Sequence, residues 1–264
     1  MKKKTYKTMI EFVIFLLGIL FVWQGIYAFG VYVFHIWKSY AMPSPIGVWH
    51  TLLHMIGNGT LFNALFHSVL RGIVGYLCAI LLGGVLGLCM NRISFLERNV
   101  RPLVMGIQTL PSVCWVPFSI LWFGLSEQSI LFVVVMGSAF SMSIAFDHAI
   151  ANVPQLYINA AKTMGANNRQ LFFRVIVPAS LPEVVSGLKQ GWSFAWRALM
   201  SGEVMTTCVG LGQTLILGRN LADINQVMLV MLVIIGVGII IDKFVFVPIE
   251  NGLKANRGTA NSKQ

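Results

Sequence analysis

Residues 159–183 read N-A-A-K-T-M-G-A-N-N-R-Q-L-F-F-R-V-I-V-P-A-S-L-P-E. Ala160, Ala161 and Met164 predict a short helix with a small, apolar face, and Gly165 is placed to end it in left-handed backbone. A second short helix is expected after Asn167-Asn168, with Leu171, Phe172, Val175 and Ile176 on one stripe. Pro178 and Pro182 are expected to break the backbone before the next apolar segment. Two short helices at an angle make a protrusion suited to a groove on another protein. An amphipathic loop lying on lipid headgroups would carry the same pattern.

What surrounds this polar island is apolar. Of 264 residues, 56% are hydrophobic and 11% charged, with a mean hydropathy of +0.76. Soluble domains carry about 25% charged residues, so a cytosolic globule, a disordered chain and a disulfide-stapled secreted domain are excluded. Long uncharged gaps separate the charges: 26 residues between Glu11 and Lys38, 20 between Arg71 and Arg92, and 25 between Arg101 and Glu127. Glu127 to Asp147 encloses 19, and Asp223 to Asp242 encloses 18. A helix needs roughly 20 apolar residues to cross the hydrocarbon core. We therefore read spans at about 12–35, 68–90, 103–123, 129–150, 184–209 and 226–247, an all-α membrane protein of about six helices. Pro111 and Pro117 should distort the third span, which neighbouring helices can tolerate.

The formal charge of +10 is topological rather than a nucleic-acid footprint. Fifteen of the 19 basic residues fall in stretches on one side of the spans: the N-terminus, 92–101, the 151–190 segment and the C-terminus. The positive-inside rule puts both termini in the cytoplasm. The apolar run after Lys7 exceeds a signal-peptide core of about 7–15 residues and is expected to remain as the first helix. Lys38–Phe66 would be external, with Trp49, Leu52, Leu53 and Ile56 on an interfacial helix and Trp37, Tyr40 and Trp49 in the aromatic belt. His50 and His54, spaced i, i+4, are half a metal site without a third ligand nearby, or a plain polar face. The four cysteines stand singly in spans, without metal or redox spacing. The tail 251–264 is expected to fray.

The fifth span alone carries ionisable residues in its middle, Arg197 and Glu203. They sit about 120° apart around a helix and cannot pair locally, so each needs a partner: another span, a backbone carbonyl, a second subunit or a substrate. Small residues crowd the fourth span, Ser138 and Ser141 among them. Close packing explains them, and lining a pathway is the other reading. Arg71 is expected to anchor at the interface. Asp147-His148 suggests a proton relay or two hydrated groups at a boundary.

The 159–183 segment resembles the EAA loop of ABC importer permeases, written E-A-A, three residues, G, nine residues, I-x-L-P. Ala160-Ala161, Gly165 and Val175-Ile176-Val177-Pro178 keep every spacing, while Asn159 stands where the family usually has glutamate. The stretches L-P-S-V-C-W-V-P-F-S-I-L-W-F-G-L-S (110–126) and G-L-K-Q-G-W-S-F-A-W-R-A-L-M-S-G-E (187–203) are similar to the nitrate/sulfonate/taurine-type branch.

The resemblance implies a type I ABC importer permease fold in the bacterial inner membrane. It implies residues 1–64 as first helix and external segment, 65–250 as permease core, and 251–264 as cytoplasmic tail. The coupling loop would comprise Asn159, Ala160, Ala161, Gly165, Ala166, Val175 and Pro178, docked on an ATPase. Partners would be two ABC ATPase subunits, an external binding protein and a second permease copy as a homodimer, in a lipid bilayer. No cofactor is expected on this chain. No G-x-x-x-x-G-K-[ST] phosphate loop occurs in it, so ATP and Mg would be used by the partner, and the chain is non-catalytic. The solute would be a small anion such as sulfonate, nitrate, taurine or bicarbonate, with Arg197, Glu203, Ser138 and Ser141 as pathway candidates. A neutral or cationic solute such as a vitamin precursor would use the same machinery. A secondary transporter is the remaining alternative, but the repeated halves typical of that class are not evident.

Overall fold

Hydrocarbon offers no hydrogen bonds to a peptide group, so a chain that enters it must satisfy its backbone internally. The computed structural model describes residues 2–38 and 41–255, and their side chains except those of 2–10, 12, 13, 16, 254 and 255. Tyr40 of the expected aromatic belt and the tail 256–264 lie outside the described residues. Among the described residues all regular structure is helical.

In chain order the α-helices are α1 Lys2–Ala28, α2 Pro45–Gly57, α3 Thr60–Arg92, α4 Ser94–Ile107, α5 Val116–Phe123 and α6 Glu127–Ala151. There follow α7 Gln155–Thr163, α8 Asn168–Leu171, α9 Val177–Met205, α10 Leu211–Asn220, α11 Ile224–Ile241 and α12 Val247–Ala255. Four stretches are long and apolar enough to span: Thr60–Arg92, Glu127–Ala151, Asn168–Met205 and Ile224–Leu253. The expected third span is a pair, Ser94–Ile107 and Ser112–Phe123, bent by 98°. Pro111 stands at that break, and the chain there leaves helical geometry. At the first expected span, the shorter apolar helix Leu17–Val33 is found.

Three boundaries differ from expectation, each for a local reason. α3 begins at Thr60, eight residues before the apolar run, after a turn at Gly59 with φ +74. The expected break at Pro178 and Pro182 is absent, because Asn168–Met205 runs as one helical stretch. A wide π turn at Phe172–Ile176, with Val177 N–H bonded to Phe172 O, shifts the ladder register just ahead of Pro178. A proline's missing donor and ring clash are absorbed where the ladder already changes step. A second wide turn at Asp242–Phe246 carries α11 into α12. Residues 251–255 of the expected frayed tail are therefore helical.

The helices fall into two compact units, Met1–Leu65 with Thr214–Ile234 and Phe66–Gln213 with Ile235–Gln264. In the first, Ser44 Oγ caps α2 by accepting from Gly47 N–H (2.9 Å), and Ser44 N–H donates to Asn225 Oδ1 (3.1 Å). Trp23 Nε1 donates to Pro43 O. Trp49, Leu53 and Ile56 of α2 are exposed, the uncovered apolar face that an interfacial helix requires. His50 and His54 are exposed too, and no cluster of three metal-ligating side chains occurs among the described residues.

The second unit is built on close approach between α3, α6 and α9. A Cβ on Gly187 would lie 2.5 Å from Ala145 Cβ, one on Gly137 2.7 Å from Ala198 Cβ, and one on Gly83 2.6 Å from the Ala139 carbonyl oxygen. Small residues let membrane helices approach to backbone contact, where dispersion does the work that the hydrophobic effect does in water. Gly83→Ala should therefore cost about 1–3 kcal/mol by overpacking against backbone, lowering the unfolding temperature of the purified protein. Gly106→Ala, where an added Cβ meets nothing within 4 Å, should not lower it, since alanine is the better helix former.

Candidate functional site

The protrusion after α6 is shaped by its caps. Gly165 adopts φ +81, its N–H bonds to Lys162 O and that of Ala166 to Ala161 O, the paired pattern that closes a helix with a left-handed residue. An L side chain there costs about 1–2 kcal/mol. Asn167 then opens α8 with a reciprocal box: its Oδ1 accepts from Gln170 N–H (2.8 Å), and Gln170 Oε1 accepts from Asn167 N–H (3.0 Å). Asn159, Ala160, Gly165 and Pro178 are exposed, and Ala161, Ala166 and Val175 half-buried. Leu156, Tyr157 and Met164 are exposed at 74%, 53% and 87%. A tight corner thus displays apolar side chains that nothing among the described residues covers.

The fifth span sorts its polar residues by angle. Glu183, Ser186, Gln190, Ser193 and Arg197 are exposed and Ser201 half-exposed. At about 100° per residue they share an arc of roughly 80°, and over 18 residues they run about 27 Å. The opposite arc, with Trp192, Ala195, Trp196, Leu199 and Glu203, is buried. Arg197 Nε donates to Ser193 O (3.1 Å) and its guanidinium lies 4.8 Å from the Phe194 ring centre. Among the described residues no carboxylate lies within ion-pair distance of it. Ser186, Gln190, Ser193 and Ser201 were not singled out from sequence, although their steps of three and four through an apolar span were the available signal.

Glu203 is fully buried on the other face. Ser68 Oγ (2.7 Å and 2.8 Å), Gly212 N–H (2.9 Å) and Arg71 Nη1 all donate to its carboxylate. Leu211 N–H in turn donates to Ser68 Oγ (2.7 Å). The second guanidinium nitrogen of Arg71 reaches Glu127 (3.1 Å) and the Val209 carbonyl (3.2 Å). Arg71, expected as an interfacial anchor, is only 5% exposed: the carboxylate draws it inward, since a charge leaves water only when paired. Ser138 is also enclosed, donating to Val134 O, while Ser141 is half-buried. Glu203 and Ser138, both expected as pathway candidates, are enclosed within the subunit's own packing.

Asp147, read as a relay or a hydrated boundary group, is likewise sealed, paired with Arg101 of α4 and accepting from Asn91, while His148 is exposed. Lys189 joins α9 to the wide turn Asp242–Phe246 through Asp242 (2.9 Å) and to α12 through Glu250 (4.0 Å).

Comparison with known proteins bears on the same residues. Residues 75–247 match the family described as binding-protein-dependent transport system inner membrane component. The chain belongs to this family. It is 30% identical over 207 residues to an ABC transporter permease protein of Methanocaldococcus jannaschii, covering 76% of this chain and 78% of that one. It is 27% identical to an aliphatic sulfonates transport permease protein of Bacillus subtilis over 86% of this chain and 80% of that one. With the nitrate import permease protein of a Synechocystis species it shares 25% identity, over 77% and 78% of the two chains. The fold matches a chain of the inward-facing MetNI methionine ABC transporter with a TM-score of 0.61 at 20% identity, covering 74% of this chain and 96% of that one. As a family member the permease is a non-catalytic membrane component with the type I importer fold.

The buried pair makes a measurable demand. Arg71→Met strands the Glu203 carboxylate and should cost about 3–5 kcal/mol, read as a lower unfolding temperature and a lower yield of folded protein. Arg71→Met with Glu203→Leu should recover most of that loss.

Proposed function

We propose that this permease, paired with a second copy of itself, forms the pathway of an ATP-driven importer for a small anion delivered by an external binding protein. The observation that carries the reading is the polar stripe from Glu183 to Ser201. A face with serines, a glutamine and an unpaired arginine over about the thickness of the hydrocarbon core has no favourable contact with lipid. It requires water, a partner or a solute. In a two-fold pair each residue recurs across the axis, so two Arg197 guanidinium groups would give a fixed positive site. The B. subtilis and Synechocystis relatives are named for sulfonates and nitrate, both anions, which supports that sign of charge. Ser141 is kept as a further candidate on α6.

The α7–Gly165–α8 corner is the natural dock for ATPase subunits, two in the complex, which would bind and hydrolyse ATP with Mg. Asn159, Ala160, Ala161, Gly165 and Ala166 would form its contact, and Val175 and Pro178 would carry it into α9. Closing of the ATPase pair on ATP would bias the spans between two states by differential contact alone. Asn159 offers a neutral amide where the family's carboxylate usually sits, so the dock must rely on shape and apolar cover more than on charge.

Reconstitution with the ATPase and binding protein tests both halves. Arg197→Gln should lower anion uptake about tenfold, roughly 1.4 kcal/mol in the barrier, with assembly and ATP hydrolysis intact. Uptake at the unaltered rate would remove Arg197 from the pathway. Gly165→Trp should abolish uptake driven by ATP while the permease stays folded in the membrane, and normal uptake by that variant would refute the docking assignment.

A further inference from the structure

One basic pocket lies apart from both the stripe and the exposed face of α7. About 530 Å³ in volume, it is formed where the ends of α3 and α6 meet α8 and the wide turn that follows it. Its polar rim is Asn91, Arg92, Asn168 and Arg169, and its floor includes Phe172 and Ile176. The Arg92 guanidinium is held 4.8 Å above the Phe172 ring, which fixes a donor fork before any ligand arrives. Among the described residues no carboxylate pairs with Arg92 or Arg169, so both guanidinium groups are available to an anion. A second hollow of about 490 Å³ adjoins it through Arg169 and Phe173 and adds Arg174.

We infer that this pocket binds the phosphate of an anionic phospholipid headgroup from the cytoplasmic leaflet. Guanidinium pairs with amide donors suit a phosphate's oxygens, and basic pockets at the inner ends of membrane helices hold anionic headgroups. The depth favours lipid over a solute. Arg92 is the last residue of a spanning helix, and Ile150 belongs to the last turn of another. Exposed apolar side chains flank the site: Ile93 at 48%, Phe95 at 67% and Phe173 at 61%. Water alone would leave those faces bare, whereas acyl chains cover them. A bound headgroup would join the wide turn beneath the protrusion to the ends of α3 and α6, bracing the segment through which α8 leads into α9. The inference rests on the membrane orientation and not on the identity of the transported solute.

The test uses the purified full-length permease in lipid nanodiscs, with no transport assay, so its outcome is separate from that of the import reading. Bound lipid is read by mass spectrometry after extraction into detergent, from discs of equal phosphatidylglycerol and phosphatidylcholine. The wild type should retain phosphatidylglycerol at least fivefold over phosphatidylcholine, Arg92→Gln/Arg169→Gln should lose that preference, and Arg98→Gln should keep it. Unfolding temperatures in phosphatidylcholine alone should coincide for all three proteins, showing that the variants fold. Equal retention of the two lipids, or an unchanged preference in the double variant, would overturn the inference. Displacement of phosphatidylglycerol by millimolar inorganic phosphate would assign the pocket to a free anion and overturn the lipid source. Loss of the lipid on adding the ATPase subunit would assign the pocket to the protein partner instead.

Discussion

The second unit depends on how near α6 and α9 come to one another. With Gly187 over Ala145 and Gly137 over Ala198, the two helices meet at a separation that larger side chains forbid. That contact fixes the rotation of α9 about its own axis. Once the arc carrying Ala195, Ala198 and Leu199 is turned inward, Glu203 must follow it into the interior. Arg197, about 120° away, must stay on the surface. Two charges in one span thus receive opposite fates from a single packing decision. The Ser112 side chain also meets Gly137, so the break in the bent third segment is seated against the same contact.

Each charge turned inward has its own solution. Glu203 gathers a hydroxyl, a backbone N–H and a guanidinium, and through Arg71 it binds the start of α6 and the loop after α9 to α3. Asp147 does the equivalent at the far end of α6 from Glu127, where Arg101 of α4 closes over it. Lys189 fastens the last helix to α9. The three sites are latches, whose charges hold helices together. Arg197 is conspicuous because it has no such employment.

Much of this was legible in the sequence wherever the cause is local. Gly165 announces a left-handed helix end, Asn167 and Gln170 announce a reciprocal cap, and the spacing of charges announces spans. The partner of Arg71 was not legible, because Glu203 lies 132 positions away and only packing brings them together. The prolines at 178 and 182 differ from expectation for another reason: a wide turn absorbs the first, α9 carries the second inside it, and nothing in the residues before Pro178 specifies that turn. The bend of 98° between α4 and α5 was likewise reduced, at the sequence level, to a distortion. The polar stripe stands in plain three- and four-residue steps from Glu183 to Ser201.

The uninterrupted stretch Asn168–Met205 has a mechanical consequence. Its 38 residues make a rod of about 57 Å, so a tilt of roughly 5° about its inner end would sweep the outer end by about 5 Å. Stiffness is uneven along that lever. The Glu203 cluster ties one end to its neighbours, while at the other end the hydrogen-bond ladder changes step at the wide turn Phe172–Ile176. Displacement entering at the protrusion, as the docking proposal requires, would be divided between flexing that turn and levering the rod, and the ratio of the two stiffnesses would set how much motion reaches the membrane.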